Sequence, residues 1–368
     1  MSVRTAVRNR FGTAAAIALM TTVGTVLVSA CGPNDTGNGP EPTAAPGTAA
    51  PGTPAPTKSG GTGGTGSTGG TGGTGSTGST GGSGGSGAGK ETNGTSAANH
   101  LTISTGTQTV VMNGTTVDFG TVVRDLAWSP DGKHAAFING DGDLVTANPD
   151  GSNKVTVAKN PGGETWSHPS WQHAEKSASV SDSPGFLERF SNIVFSSAKG
   201  GVLTMETVPV KGGKAPETLT PATYDGDGGA TQPPKTGNTW SNAGGKRGEI
   251  AYANTPGGEV YIYDHYIRSN TRDMGKGSQP ALSPDGEQVV FVRSVNGHDH
   301  LFAKSTDNQG KEKDLTPSAT TDYTEPAWSP DGKTIAVRTP DGISTLPADG
   351  SAAPTPVSTF KGLPAFRP

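Results

Sequence analysis

Leu126–Phe137 reads Leu-Ala-Trp-Ser-Pro-Asp-Gly-Lys-His-Ala-Ala-Phe, and close copies stand at Ala281–Val292 (ALSPDGEQVVFV) and Ala327–Val337 (AWSPDGKTIAV). Each copy is an apolar strand, a four-residue turn and a second strand, so the repeating unit is a β-hairpin. Turn chemistry explains the spelling. Pro130, Pro284 and Pro330 have φ pre-set for the first corner of a type I turn, and Asp131, Asp285 and Asp331 suit the second. Gly132, Gly286 and Gly332 accept the left-handed conformation that closes a bulged hairpin. The three aspartates are therefore read as turn formers, not ligands. Behind each turn, Ala135–Ile138, Val289–Val292 and Ile335–Val337 are apolar throughout, as expected of strands buried on both faces in a stack of sheets.

Working outward, degenerate copies fill the gaps. Pro169-Ser170-Trp171-Gln172 precedes Asn192–Ser196, and Asn238-Thr239-Trp240-Ser241 precedes Glu249–Tyr252, without the Pro-Asp-Gly turn. Anchor positions then run Trp128, Trp171, Trp240, Leu282, Trp328 and Phe366, mostly at intervals of roughly 40 to 45 residues, the length of one four-stranded propeller blade. The last anchor has no strands after it, whereas Leu101–Ser104, Gln108–Met112 and Thr115–Phe119 are short β-rich segments with no anchor before them. The expected fold is all-β: a six-bladed β-propeller over residues 100–368, closed by placing the C-terminal strand beside these N-terminal ones. Closure removes every free sheet edge.

The Trp-Ser-Pro-Asp-Gly-Lys hairpins at Trp128–Lys133 and Trp328–Lys333, with the variant Leu282–Glu287, resemble the repeats of TolB-like β-propellers. The resemblance covers roughly Ala98 to Pro368. It implies the fold, and an interaction platform by analogy, because related blades also occur in peptidase propeller domains and polysaccharide lyases. TolB-like proteins usually carry a separate N-terminal α/β domain. This chain has a low-complexity linker in that region.

The N-terminus points to export. Arg4, Arg8 and Arg10 precede an uncharged, mainly apolar run from Phe11 to Val28, and Val28-Ser29-Ala30 sets small residues before Cys31. Residues 1–30 read as a secretory signal ending in a lipobox-like sequence, with Cys31 as the lipid-attachment residue. The alternative is an uncleaved transmembrane anchor; either places the remainder outside the cytoplasm, held at the cell membrane. Cys31 is the only cysteine, so no intramolecular disulfide forms. Residues 31–99 are Pro, Ala and Thr rich, then a Gly-Thr-Ser tract through Ser59 to Gly89, a disordered tether with a reach of about 45 Å. Its threonines are candidates for glycosylation.

Composition agrees. The 368 residues include 57 Gly and 29 Pro and are 30% hydrophobic, because the tether dilutes a β domain. The formal charge of −4 becomes −7 once the signal's three arginines are removed. A mildly acidic surface argues against nucleic acid and against electrostatic membrane binding.

No catalytic, cofactor or metal site is expected. Asp141 with Asp143, Asp225 with Asp227, and His298 with His300 offer ligands at two-residue spacing, but none completes a recognisable set; all are read as turn residues. There is no Gly-x-Ser-x-Gly elbow in a strand-to-helix context, and the domain's histidines, His134, His168, His173, His265, His298 and His300, are scattered. Function is expected on the face carrying the loops at Asn139–Asp143, Thr255–Gly258, Asn296–His300, Tyr224–Thr236 and Thr320–Glu325. His173–Phe190 and Tyr224–Thr236 stand out as insertions, sites of recognition or plain loop drift. The expected function is a membrane-anchored, non-catalytic binding platform for a cell-envelope protein or cell-wall glycan. The alternatives are a metal-assisted polysaccharide lyase and a purely structural envelope component.

Overall fold

The computed structural model describes residues 91–174, 191–226, 229–245, 247–264 and 270–368. The signal segment, Cys31 and nearly all of the tether lie outside these, as do residues 175–190 of the first insertion.

The Ser-Pro-Asp-Gly turns form as their chemistry dictates. Gly132, Gly286 and Gly332 have φ of 65°, 76° and 69°, and their amides donate to the carbonyls of Ser129, Ser283 and Ser329 at 2.8–2.9 Å. Asp131 Oδ1 accepts from Ser129 Oγ (2.7 Å) and from the Lys133 amide (3.1 Å), and Asp285 and Asp331 do the same in their copies. The serine is as necessary as the aspartate: Ser129 Oγ also accepts from the His134 amide, as Ser283 and Ser329 do from Gln288 and Thr334. One hydroxyl thus joins the turn to the returning strand.

These hairpins belong to six four-stranded antiparallel sheets. Blade 1 holds β1 (Leu101–Ser104), β2 (Thr109–Met112) and β3 (Thr115–Asp118). Blade 2 holds β4 (Arg124–Trp128), β5 (Ala135–Ile138), β6 (Leu144–Ala147) and β7 (Val155–Ala158). Blade 3 holds β8 (Glu164–His173), β9 (Ser191–Lys199), β10 (Val202–Pro209) and β11 (Glu217–Leu219). Blade 4 holds β12 (Asn238–Gly244), β13 (Glu249–Asn254), β14 (Glu259–Asp264) and β15 (Asn270–Lys276). Blade 5 holds β16 (Ser278–Leu282), β17 (Gln288–Val295), β18 (His298–Ser305) and β19 (Lys313–Asp314). Blade 6 holds β20 (Thr324–Trp328), β21 (Thr334–Thr339), β22 (Gly342–Pro347) and β23 (Thr355–Ser358). The final strand, β24 (Leu363–Phe366), returns to blade 1 and pairs with β1, with Leu101 opposite Phe366 and Ser104 opposite Leu363.

The closure is reinforced beyond its ladder. The Arg367 amide donates to the His100 carbonyl (2.9 Å), Arg367 Nε donates to the Gly132 carbonyl (2.7 Å), and the guanidinium stacks 5.3 Å from the Trp128 ring. On the N-terminal side, Thr92 exchanges hydrogen bonds with Thr359, and Thr95 Oγ1 accepts from the Gly114 amide. The chain thus docks on blades 6 and 1 before its first strand.

The apolar residues form no single core. They divide into six clusters, one at each blade-to-blade interface. The second strands of blades 2 to 5 each supply a fully buried ring, Phe137, Phe195, Tyr252 and Phe291. Each such burial contributes about 1.5–3 kcal/mol. The cluster between blades 6 and 1 joins Leu101, Ile103 and Val111 to Ala336 and Ile343, so it exists only because the two ends of the domain meet.

One anchor is corrected. In blades 2, 3, 5 and 6 the anchors Trp128, Trp171, Leu282 and Trp328 pair with Ala135, Ile193, Val289 and Ile335. In blade 4 that position, opposite Ile250, is taken by Ala243. Trp240 stands three residues earlier. An aromatic residue in a first strand resembles an anchor in sequence, but here it serves the channel.

A candidate site on the propeller axis

Every first strand of blades 2 to 6 carries a β-bulge at the same place: Arg124 pairs with Ile138 but Ala127 with Ala136, and the other four blades repeat this slip. The first residue of each bulge is Asp125, His168, Trp240, Gln279 or Glu325, all non-glycine and all at φ between 50° and 54°. Left-handed backbone at a non-glycine residue costs of order 1–3 kcal/mol, and bulges re-aim side chains. The following position lacks a ladder partner, which lets Pro169, Pro280 and Pro326 occupy it without losing a hydrogen bond. Five strained residues from five blades are thereby brought to one level of the axial channel.

They bind one another there. Asp125 Oδ2 accepts from the His168 amide (3.1 Å), and Gln279 Oε1 accepts from the Glu325 amide (2.7 Å). Trp240 Nε1 donates to Glu325 Oε1 (3.3 Å), and His168 Nε2 lies 3.5 Å from Glu325 Oε2. His168 is on blade 3 and Glu325 on blade 6, diametrically opposed, so this pair spans the channel. The His168 ring also meets the Trp240 ring edge-on at 6.0 Å. Burial of the imidazole acts to lower its pKa, but the Glu325 and Asp125 carboxylates outweigh it and hold the group above its ordinary value.

From this floor the cavity, ≈ 440 Å³, extends toward the Ser-Pro-Asp-Gly turns, inside the size range of small-ligand sites, roughly 300–1,000 Å³. At the level above the floor its walls are Ala127, Ala281 and Ala327 with Ser170 and Asn242, then the anchor residues, and its rim includes Pro130, Pro284, Pro330 and Pro368. Anchor tryptophans brace the walls from blade to blade: Trp171 Nε1 donates to the Ala127 carbonyl (3.1 Å), Trp328 Nε1 to the Ala281 carbonyl (3.0 Å) and Trp128 Nε1 to Thr102 Oγ1 (2.9 Å). The cavity is a cup with a mixed wall, apolar in blades 2, 5 and 6 and polar at Ser170 and Asn242, over a polar floor.

The cup faces the side opposite the loops on which sequence placed function. Those loops are self-contained. Asn139 Oδ1 accepts from the Asp141 and Asp143 amides, and Asp143 in turn accepts from the Asn160 amide (2.8 Å). Asp225 accepts from the Gly229 amide; Asp227 lies outside the described residues. His298 and His300 are not turn residues: the turn is Asn296-Gly297, and both histidines lie in β18, paired with Val295 and Arg293. His300 is buried and meets Asp314 Oδ2 at 2.9 Å, while His298 meets Asp322 at 3.4 Å. Two carboxylates hold them separately. Burial, then the nearby Asp322, pushes the Asp299 carboxyl up.

Among the described residues no three His, Cys, Asp or Glu side chains converge as a metal site, and no helix is long and apolar enough to cross a membrane. Of the remaining histidines, His168 reaches the floor and His173 the cup's lining, whereas His265 lies outside the described residues. The second insertion stays away from the cup: Ala222 and Thr223 are tied to Thr271 of β15, and Gln232 closes back on Thr223. Sequence reasoning missed Asp125 and Gln279, and reached Glu325 only as the last residue of the Thr320–Glu325 loop, with no role given to its side chain. Their signal was a polar residue three places before each anchor, in Asp-Leu-Ala-Trp, His-Pro-Ser-Trp, Gln-Pro-Ala-Leu and Glu-Pro-Ala-Trp.

No protein-family profile matches the chain. Among solved structures, TolB from Acinetobacter baumannii aligns with a TM-score of 0.50 at 16% identity, over 73% of this chain and 66% of that one. The putative TolB from Agrobacterium tumefaciens gives 0.48 at 16% identity over 68% and 86%, and an oligogalacturonate lyase in complex with manganese gives 0.42 at 11% over 66% and 68%. The chain spans a little under two thirds of the Acinetobacter protein. At this identity the likeness is one of fold: a TolB-like six-bladed propeller.

Proposed function

We propose that this is an extracytoplasmic lipoprotein, anchored by a lipid on Cys31 and tethered through residues 31–90, whose propeller is a non-catalytic binding platform for a component of the cell envelope. The observation that carries the binding role is the axial cup, a concave site whose alanine and proline surfaces stand over a few convergent polar groups. The proline rim favours a protein partner over a glycan, because apolar, desolvated centres with fixed polar anchors mark protein interfaces. Lipid anchoring rests on the Val28-Ser29-Ala30-Cys31 sequence.

Crosslinking of the native protein in intact cells, with mass spectrometry of the captured material, tests the platform role. One reproducible envelope protein is the expected result; cell-wall glycan alone would replace the protein reading with a glycan one. Cys31→Ser is expected to leave an unlipidated protein that no longer partitions with the membrane.

A further inference from the structure

The floor of the cup gathers acceptors suited to a positive charge. Two carboxylates, Asp125 and Glu325, reach it from blades 2 and 6, an indole ring, Trp240, borders it from blade 4, and the imidazole of His168 lies among them. Nδ1 and Nε2 of that imidazole are both shielded from solvent and neither makes a hydrogen bond; the 3.5 Å approach of Nε2 to Glu325 is off the line of one. A ring whose nitrogens are buried and unsatisfied within a cavity is a weak occupant of its place, since unsatisfied buried polar groups cost stability.

We infer that the cup binds a primary ammonium group, held by the carboxylates of Glu325 and Asp125 beside the Trp240 ring, in competition with the imidazole of His168. An ammonium brings three donors to carboxylates that His168 serves poorly. The alanine and proline surfaces on blades 2, 5 and 6 suit the alkyl stem behind such a group. The inference rests on the cup being the binding site proposed above, and it names the chemistry that site selects: an alkylammonium, borne by a free amine or by a lysine side chain of the partner.

The Trp240 indole N–H, which donates to Glu325, is the reporter. With full-length protein labelled at indole nitrogen, and the signal assigned by Trp240→Phe, n-butylammonium is expected to shift it saturably. 1-Butanol, the neutral counterpart, should not. Affinity should rise as pH is raised through the His168 titration, because the amine stays protonated while its internal competitor loses its charge; His168→Gln should abolish that dependence. Glu325→Gln should weaken binding by about tenfold or more, the worth of one charge-assisted hydrogen bond. If Glu325→Gln does not fold, the pH dependence of the wild type still decides.

Comparing Nα-acetyl-lysine amide with butylammonium separates the sources: equal or tighter binding of the lysine compound assigns the group to a protein side chain, weaker binding to a free amine. An unsaturable shift, an equal shift with butanol, or an affinity indifferent to Glu325→Gln overturns the inference. Should any of these occur while crosslinking from the turn rim persists, the platform stands and the ammonium site alone falls.

Discussion

At the scale of single residues, His168 is where structure and chemistry meet. Its pKa is raised in the folded state because Glu325 and Asp125 outweigh burial. A raised folded pKa gives stability that is fully present below the unfolded value, near 6.5, and is lost as pH rises through the folded value. The propeller's melting temperature is therefore expected to fall across that window, and His168→Gln to flatten the fall. Imidazole proton shifts followed by NMR should give a midpoint above the ordinary one, and a midpoint below it would contradict the assignment. None of this was visible in sequence, where His168 was one of several scattered histidines. A bulge adds a residue to one strand and changes which side chain faces which way, so counting from the anchor does not show that position 168 meets position 325. The turn residues were legible because Ser-Pro-Asp-Gly makes its contacts within five residues, with no help from the rest of the chain.

At the scale of elements, the same hairpin does different work in different blades, and its glycine shows how. Gly132 and Gly332 share a left-handed φ. A methyl group added at Gly132 would come within 2.3 Å of the Pro368 carbonyl oxygen, while at Gly332 the nearest atom is 3.9 Å away. Gly332→Ala should show only the cost of the left-handed backbone, about 1–2 kcal/mol. Gly132→Ala should cost about 1–3 kcal/mol more, because it also pushes against the closing segment. Equal losses in chemical denaturation would contradict the tight seating of Pro368. The closing pair was legible because three strands without an anchor and one anchor without strands leave a single arrangement in which every blade has four strands. The blade 4 anchor was not, since Ala243 carries no sequence signal and Trp240 carries a misleading one. His300 was misread for a related reason: Asn296-Gly297 is a two-residue hairpin turn, so the strand resumes at His298, earlier than a longer loop would allow.

At the scale of the whole molecule, six interface clusters in a closed ring mean that no blade is stable alone and that opening one interface weakens its two neighbours. Removing Pro364–Pro368 deletes most of β24, uncovers Leu101 and Ile103, and dissolves the cluster between blades 6 and 1. A single cooperative transition lowered by at least about 10 °C is expected, at about 2–4 °C per kcal/mol for a domain of this size. An unchanged melting temperature would refute closure by the C-terminal strand. The ring also fixes where binding energy can be concentrated, because only the axis gathers residues from several blades. The most direct test of that claim is site-specific photo-crosslinking in intact cells, with the reactive residue at Lys133 beside the cup or at Asn296 on the opposite face. Crosslinks to one envelope component from Lys133 and none from Asn296 are the predicted result; crosslinks from Asn296 alone would contradict the axial site.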